Sequence, residues 1–345
     1  MPRRAGATVG PALSGVLSRL PAPLRGALTA ATLTTSTVLL TTLMMLPALL
    51  KWLLPLYAVR RPCDRALTAL AAGWVAVNNA WIAAVRPATW DVQGTDHLHR
   101  QGWYLVSSNH QSWVDILVLQ RIFHGRIPFL KFFLKQELIW VPVIGLAWWA
   151  LDFPFMKRGR GHGARQNDLK ATRDACEKFK RIPTSVINFV EGTRCTPAKQ
   201  AAQGSPYRHL LKPKIGGLGI ALATMGEQFE ALLDVTIVYP GGTPQFWDML
   251  SGRIGAVTVR VQQRAIPADV LGPDPMGDKA YRQRLSAWVD QQWLDKDRLI
   301  DALLGPHADR PHADRPRADH PSADHPSAGH PSADGPLTAP PPGRR

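Results

Sequence analysis

The sequence predicts an α/β domain carried behind an N-terminal membrane-associated helical region and followed by a tail without a core. Three observations carry this expectation. Two stretches near the N-terminus, Gly26–Leu50 and Ala66–Val85, contain no charged residue. From Trp90 onward, short β-branched apolar runs alternate with a helical pattern, as in an α/β layer. After Gly305 a five-residue period, PHADR PHADR PRADH PSADH PSAGH PSADG, puts a proline in every unit, and such a segment builds no core.

The totals narrow the class. A chain of 345 residues holds one large domain or two ordinary ones. The formal net charge of +15 calls for an anionic partner: nucleic acid, a lipid surface or a phosphorylated substrate. Three cysteines without C-x-x-C spacing exclude a self-contained disulfide framework and a cysteine zinc site, and they fit a reducing compartment. Twelve tryptophans, several flanking apolar stretches, suit a membrane interface.

Residues 1–25 form a basic N-terminal segment with Arg3, Arg4, Arg19 and Arg25. Residues 26–88 are expected to hold membrane-anchoring helices. The run Gly26–Leu50 is long enough, at ~1.5 Å per residue, to cross a hydrocarbon core of ~30 Å. Eight Ser and Thr residues dilute it, and Pro47 kinks its end. The weaker run Ala66–Val85 contains Asn78 and Asn79 and is compatible with a second membrane helix, an interfacial amphipathic helix or a buried core helix. Lys51, Arg60, Arg61 and Arg65 lie between the runs, so charge gives no clean topology; a hairpin dipping into one leaflet, both basic clusters on one side, reconciles them.

Residues 89–304 are expected to be the α/β domain. WDVQG and WYLVSSN read as strands joined by a turn in GTDHLHRQG, whose His97 and His99 read as exposed loop. Arg165–Lys180 reads as a helix, and TSVINFV, LLDVTIVYP and AVTVRVQQ as strands. Ala280–Leu304 closes the domain as an amphipathic helix. Residues 305–345 form a Pro/His/Asp repeat tail expected to be disordered. Its five histidines read as a solvated linker rather than a metal site. Its five Arg and five Asp cancel, so the net charge lies before it.

Three stretches carry candidate chemistry. In NHQSWVD, Ser112 and Asp115 have the S-x-x-D spacing of a helix cap, while His110 and Asp115 have the makings of a base and its orienting carboxylate. Five residues along a regular helix are about 140° apart, so the pair meets only if His110 lies in the turn before the helix and Asp115 in its first turn. DFPFMKRGRGHG supplies Lys157, Arg158 and Arg160. In NFVEGTR, after a buried strand, Gly192 permits a tight turn, Arg194 offers a fork for phosphate, and Glu191 either orients that arginine or caps the turn. There is no G-x-S-x-G elbow, no H-E-x-x-H and no Walker loop.

Taken together, these stretches resemble the glycerolipid acyltransferase family, which includes the 1-acylglycerol-3-phosphate acyltransferases. His110 and Asp115 match its N-H-x-x-x-x-D block. Phe155-Met156-Lys157-Arg158 looks like its second block, and Glu191-Gly192-Thr193-Arg194 matches its F-P-E-G-T-R block. Pro240 after the strand Val235–Tyr239 resembles the fourth. Lys135, Glu137, Leu138, Pro142 and Gly145 fall on K-x-E-L-x-x-x-P-x-x-G. Phe189-Val190 replaces the usual Phe-Pro, and Asp234-Val235-Thr236 replaces the usual V-P opening of the fourth block. These departures suit a bacterial YihG-like branch and some eukaryotic lysophospholipid acyltransferases.

The resemblance implies a mixed, mostly parallel sheet flanked by helices. It also implies an O-acyltransferase that moves a fatty acyl group from acyl-CoA or acyl-acyl-carrier protein to the free hydroxyl of a lysophospholipid. The first expectation for that acceptor is 1-acylglycerol-3-phosphate, giving phosphatidate; another lysophospholipid is the alternative. His110 is then the base and Asp115 its orienting group. Lys157, Arg158, Glu191, Gly192, Thr193 and Arg194 bind substrate, with Lys212 and Lys214 as further contacts. No metal or cofactor beyond the acyl donor is expected. The apolar stretch Ile127–Phe155 reads as acyl-chain groove, lipid contact or core. Expected partners are the acyl thioester, the lysophospholipid and an anionic membrane surface, with no nucleic acid. The expected location is the bacterial inner membrane, catalytic domain toward the cytoplasm, where the thioester is made. A thioester or lipid hydrolase, a membrane-tethered nucleic-acid binder and a non-catalytic scaffold are the competing readings.

Overall fold

The structure, a computed structural model, describes residues 15, 17–54, 56–85, 88–153, 155–156, 177, 179, 182–271 and 278–305. The helix expected over 165–180, apart from residues 177 and 179, and the tail from 306 onward fall outside them.

Helix α1 (Ala22–Leu53) and helix α2 (Tyr57–Val85) come first. The link between them is short, so Arg60, Arg61 and Arg65, which lie between the two uncharged runs, are already part of α2. The polar residues that dilute both apolar runs face each other. Trp74 Nε1 donates to Thr37 Oγ1 at 2.9 Å, Trp81 Nε1 to Thr29 Oγ1 at 3.2 Å, and Ser36 Oγ to Asn78 Oδ1 at 3.3 Å. The outer face of α1 keeps Leu39, Leu43, Leu46 and Leu50 exposed. Both helices are long and apolar enough to cross a membrane.

The α/β domain follows with β1 (Thr89–Gln93), β2 (Tyr104–Ser108), α3 (Val114–Phe123), β3 (Leu130–Phe132), β4 (Leu134–Lys135), α4 (Ile144–Ala150), β5 (Phe155–Met156), β6 (Ser185–Phe189), α5 (Pro197–Gln203), α6 (Gly216–Met225), β7 (Ala231–Val238), α7 (Phe246–Leu250), β8 (Ala256–Arg264) and α8 (Lys279–Leu304). Asp278 caps α8 by accepting from Ala280 N at 2.8 Å. Six strands form one sheet in the order β1-β8-β7-β2-β6-β3, and β4 and β5 form a second, parallel pair. In the six-stranded sheet every pairing is parallel except β7 with β8. The sheet is therefore mixed and mostly parallel, with helices on both faces.

Period-two alternation splits the core into two halves. Tyr104, Val106, Leu233, Val235 and Ile237 pack on one face with Met44 and Ala48 of α1, Leu67 and Ala71 of α2, and Val114, Val118 and Ile122 of α3. Leu105, Val186 and Leu232 pack on the other with Leu218 and Leu222 of α6 and Leu285, Val289 and Trp293 of α8. The stretch Ile127–Phe155 divides accordingly: Leu130, Phe132 and Phe153 are core, while Trp140 and Trp149 stand exposed.

Asp234 breaks the apolar pattern of β7 on the α8 side. Its carboxylate, 3 % exposed, meets Lys296 Nζ at 2.5 Å and Arg264 Nε at 3.0 Å. Lys296 Nζ also donates to Val235 O at 2.5 Å. The Asp-Val-Thr departure in the fourth block is thus a buried clamp between β7, β8 and the last helix.

Helix α1 is held to this domain at both ends. Near its start, buried Arg25 donates Nε to Ser251 O at 3.1 Å, so this arginine is a fastener rather than part of a free basic segment. Near its end, Lys51 Nζ reaches Asp152 Oδ2 at 2.6 Å, Asp64 Oδ1 at 2.9 Å and Ala150 O at 3.2 Å.

Candidate active site

Strands β2, β6 and β7 lie side by side at the middle of the sheet, and the site forms where β2 and β6 end. Asn109 locks the end of β2 to β7: its Nδ2 donates to Ile237 O at 2.9 Å and its Oδ1 accepts from Ile237 N at 2.8 Å. His110 follows in the loop, and Asp115 lies in the first turn of α3.

His110 Nδ1 and Asp115 Oδ2 are 2.9 Å apart. A carboxylate only accepts, so the proton in that bond belongs to the imidazole, and Nε2 carries the free lone pair. Nε2 has no partner among the described residues. The ring stacks on Phe189, centroids 4.0 Å apart and planes 18° from parallel.

Capping and orienting, which the spacing had left in competition, share one side chain. Asp115 Oδ2 also accepts from Gln111 N at 2.6 Å and Ser112 N at 2.8 Å, and Oδ1 accepts from Tyr239 Oη at 2.6 Å. Ser112 Oγ accepts from Val114 N at 3.1 Å and donates to Pro244 O at 2.6 Å.

Glu191 orients no arginine. It is 0 % exposed; Oε1 accepts from His110 N at 2.8 Å and Oε2 from Leu211 N at 3.0 Å. It fastens the His110 backbone to that of Leu211. Burial pushes its carboxyl up to about 7, against the opposing pull of those two N–H groups and of the Lys296 ammonium.

Gly192 has φ +68°, the left-handed conformation that completes the turn, and a Cβ there would meet Lys214 Cδ at 3.1 Å. Thr193 Oγ1 accepts from Lys199 Nζ at 2.7 Å. Arg194 is exposed, its guanidinium 5.1 Å from the ring centre of Trp113, and the next residue is tied back by Cys195 N donating to His110 O at 2.7 Å. The turn thus brings Glu191, Gly192 and Arg194 against the His110 loop. Lys212 and Lys214 are exposed on the strap beside it. Lys157 and Arg158 lie outside the described residues.

Sequence reasoning missed Tyr239, Phe189 as a support for the ring, Asn109 as a lock, and Trp113. Only Trp113 gave a local signal: a large aromatic inside the polar NHQSWVD turn.

A mostly parallel α/β fold with a His–Asp pair at the carboxyl edge of its central strands, one imidazole nitrogen without a partner among the described residues, has the geometry of a general base and its orienting carboxylate. Residues 89–240 match the Acyltransferase family. The chain is 29 % identical over 211 residues to 1-acyl-sn-glycerol-3-phosphate acyltransferase 2 of Arabidopsis thaliana, covering 57 % of this chain and 51 % of that one. It is 23 % identical over 220 residues to 1-acyl-sn-glycerol-3-phosphate acyltransferase epsilon of Mus musculus, covering 56 % of each. The crystal structure of the 1-acyl-sn-glycerophosphate (LPA) acyltransferase PlsC from Thermotoga maritima aligns over 80 % of this chain and 97 % of its own, with a TM-score of 0.45 and 18 % identity. The chain resembles these acyltransferases over its α/β domain, and it spans about half the length of the curated relatives it matches.

Proposed function

We propose that this protein transfers a fatty acyl group from an acyl thioester, acyl-CoA or acyl-acyl-carrier protein, to the free hydroxyl of a lysophospholipid. The favoured acceptor is 1-acylglycerol-3-phosphate, which gives phosphatidate. The observation that carries this reading is the 2.9 Å bond between His110 Nδ1 and Asp115 Oδ2, which leaves Nε2 as an unoccupied base. The names of the relatives support the choice of acceptor.

The acceptor's O–H delivers its proton to Nε2 as the oxygen attacks the thioester carbonyl carbon. Asp115 steadies the imidazolium. The C–S bond breaks, and the departing thiolate takes the proton back from Nε2. Backbone donors for the developing oxyanion are scarce, because the N–H groups of His110, Gln111, Ser112, Val114 and Asp115 all have acceptors. Among the described residues of that loop, the Trp113 N–H alone has none, and it takes this role. Arg194, with Lys212 and Lys214, binds the acceptor's phosphate. Lys157 and Arg158 are assigned the same task by the family's second block. Gly192 and Thr193 shape the turn that presents Arg194, and Glu191 fixes the loop behind His110.

The exposed leucines of α1 rest in an anionic membrane, and the catalytic face lies on the side where the thioester is made, the cytoplasm. The test is a membrane assay with labelled acyl-CoA and a panel of lysolipids, on wild type and His110→Ala. Phosphatidate should form with wild type and fall at least about a hundredfold in the variant. Full activity in His110→Ala refutes the mechanism, and thioester loss without matching phosphatidate shows a hydrolase.

A further inference from the structure

The polar atoms around His110 include one side chain that the family blocks and the mechanism above leave unused. Tyr239 is the residue immediately after β7, 4 % exposed, and its hydroxyl donates to Asp115 Oδ1 at 2.6 Å across 124 positions of sequence. The opposite carboxylate oxygen takes His110 Nδ1 at 2.9 Å together with two backbone N–H groups. The carboxylate is therefore gripped from both ends, and only the Tyr239 end comes from outside its own loop and helix.

We propose that Tyr239 is a positioning residue for the His–Asp pair: its hydroxyl fixes the plane of the Asp115 carboxylate and shares its charge, and so sets the orientation and basicity of His110. This rests on the reading of His110 as the base. A carboxylate held by backbone N–H groups at one oxygen still pivots about that oxygen, and a single donor on the other stops the pivot. The same bond draws negative charge away from the imidazole. Burial and the neighbouring Asp115 raise the phenol well above its ordinary range, so it stays a donor across working pH. The titratable groups facing this carboxylate are His110 from its own loop, Tyr239 from the end of β7 and Glu191 from the turn after β6, with Lys296 of α8 beyond Glu191.

The test is Tyr239→Phe, which keeps the ring. It combines histidine-labelled NMR titration of the detergent-solubilised full chain, the His110 resonance assigned with His110→Ala, with the kcat and KM of acyl transfer. With the competing donor gone, His110 should titrate about half a unit higher. The turnover number kcat should fall about tenfold with KM held, and the acid limb of the rate profile should move up with the imidazole. In an Asp115→Asn background the same change should add nothing, because Tyr239 acts only through Asp115. An unmoved His110 titration overturns the proposal whatever the activity, and so does a fall in kcat with an unmoved acid limb. A shifted titration beside a fully active His110→Ala leaves the Tyr239–Asp115–His110 linkage standing and sinks the catalytic reading instead.

Discussion

Asp234→Ala should be among the most damaging single changes in this chain that touch no substrate. The loss follows from what remains around Lys296. That ammonium is 0 % exposed; without Asp234 its contacts among the described residues are Val235 O, Thr236 Oγ1 and the ring of Trp293, with Glu191 as a more distant negative charge. An orphaned buried charge costs about 3–5 kcal/mol. Lys296→Met is milder, roughly 1–3 kcal/mol, because Asp234 keeps Arg264 Nε at 3.0 Å. The double variant should lose less than the two singles together, with a coupling of at least ~1 kcal/mol. The assay is urea unfolding of the detergent-solubilised chain. In Asp234→Ala the folded-state lysine sits still further below its ordinary value of 10.5, while the unfolded lysine does not, so the unfolded chain binds more protons. The variant should therefore gain stability as the pH rises from neutrality toward 10.5, more steeply than wild type. Additive singles, or parallel pH curves, would refute the idea that one charge pair clamps β7 to α8.

Glu191 gives a signal of opposite sign. Its folded-state carboxyl is raised from 4.5 to about 7, so the folded chain binds the extra proton between those values. The stability it contributes below pH 4.5 is lost as the pH rises through about 7. Wild type relative to Glu191→Gln should lose up to about 3 kcal/mol over that window in chemical denaturation, and equal slopes would contradict it. Trp113→Ala removes the ring beneath the Arg194 guanidinium, an interaction of about 0.5–1 kcal/mol. KM for the lysophospholipid should rise about two- to fivefold with kcat held, Trp113→Phe should recover most of it, and an unchanged KM in the alanine variant would remove Arg194 from phosphate recognition.

The legible parts of this protein are those with local rules. Strands β1, β2, β6, β7 and β8 were visible as short apolar runs, whereas β3, β4 and β5 were lost in the apolar stretch Ile127–Phe155; the placement of His110 before a helix with Asp115 in its first turn follows from a spacing that no single helix face allows. Partners joined only by tertiary structure were not legible. Asp234 looked like a departure in a strand pattern because its counter-charge stands 62 positions later on α8. Tyr239 looked like the end of a strand because its acceptor lies 124 positions earlier. Glu191 sits three residues before Arg194, and that closeness in sequence suggested a pairing; its carboxylate turns inward to the His110 and Leu211 backbone instead. The threonines of α1 weakened a hydropathy signal that counts each residue alone, whereas here they satisfy tryptophan N–H groups on α2.

The two fastenings of α1, Arg25 on Ser251 and Lys51 on Asp152, have a mechanical consequence. A helix pinned at head and foot cannot act as a mast from which the rest of the protein swings. Wherever its leucines settle, they set the height and tilt of His110, so in the proposed reaction the distance from the membrane to the imidazole is fixed by the fold rather than by a flexible tether.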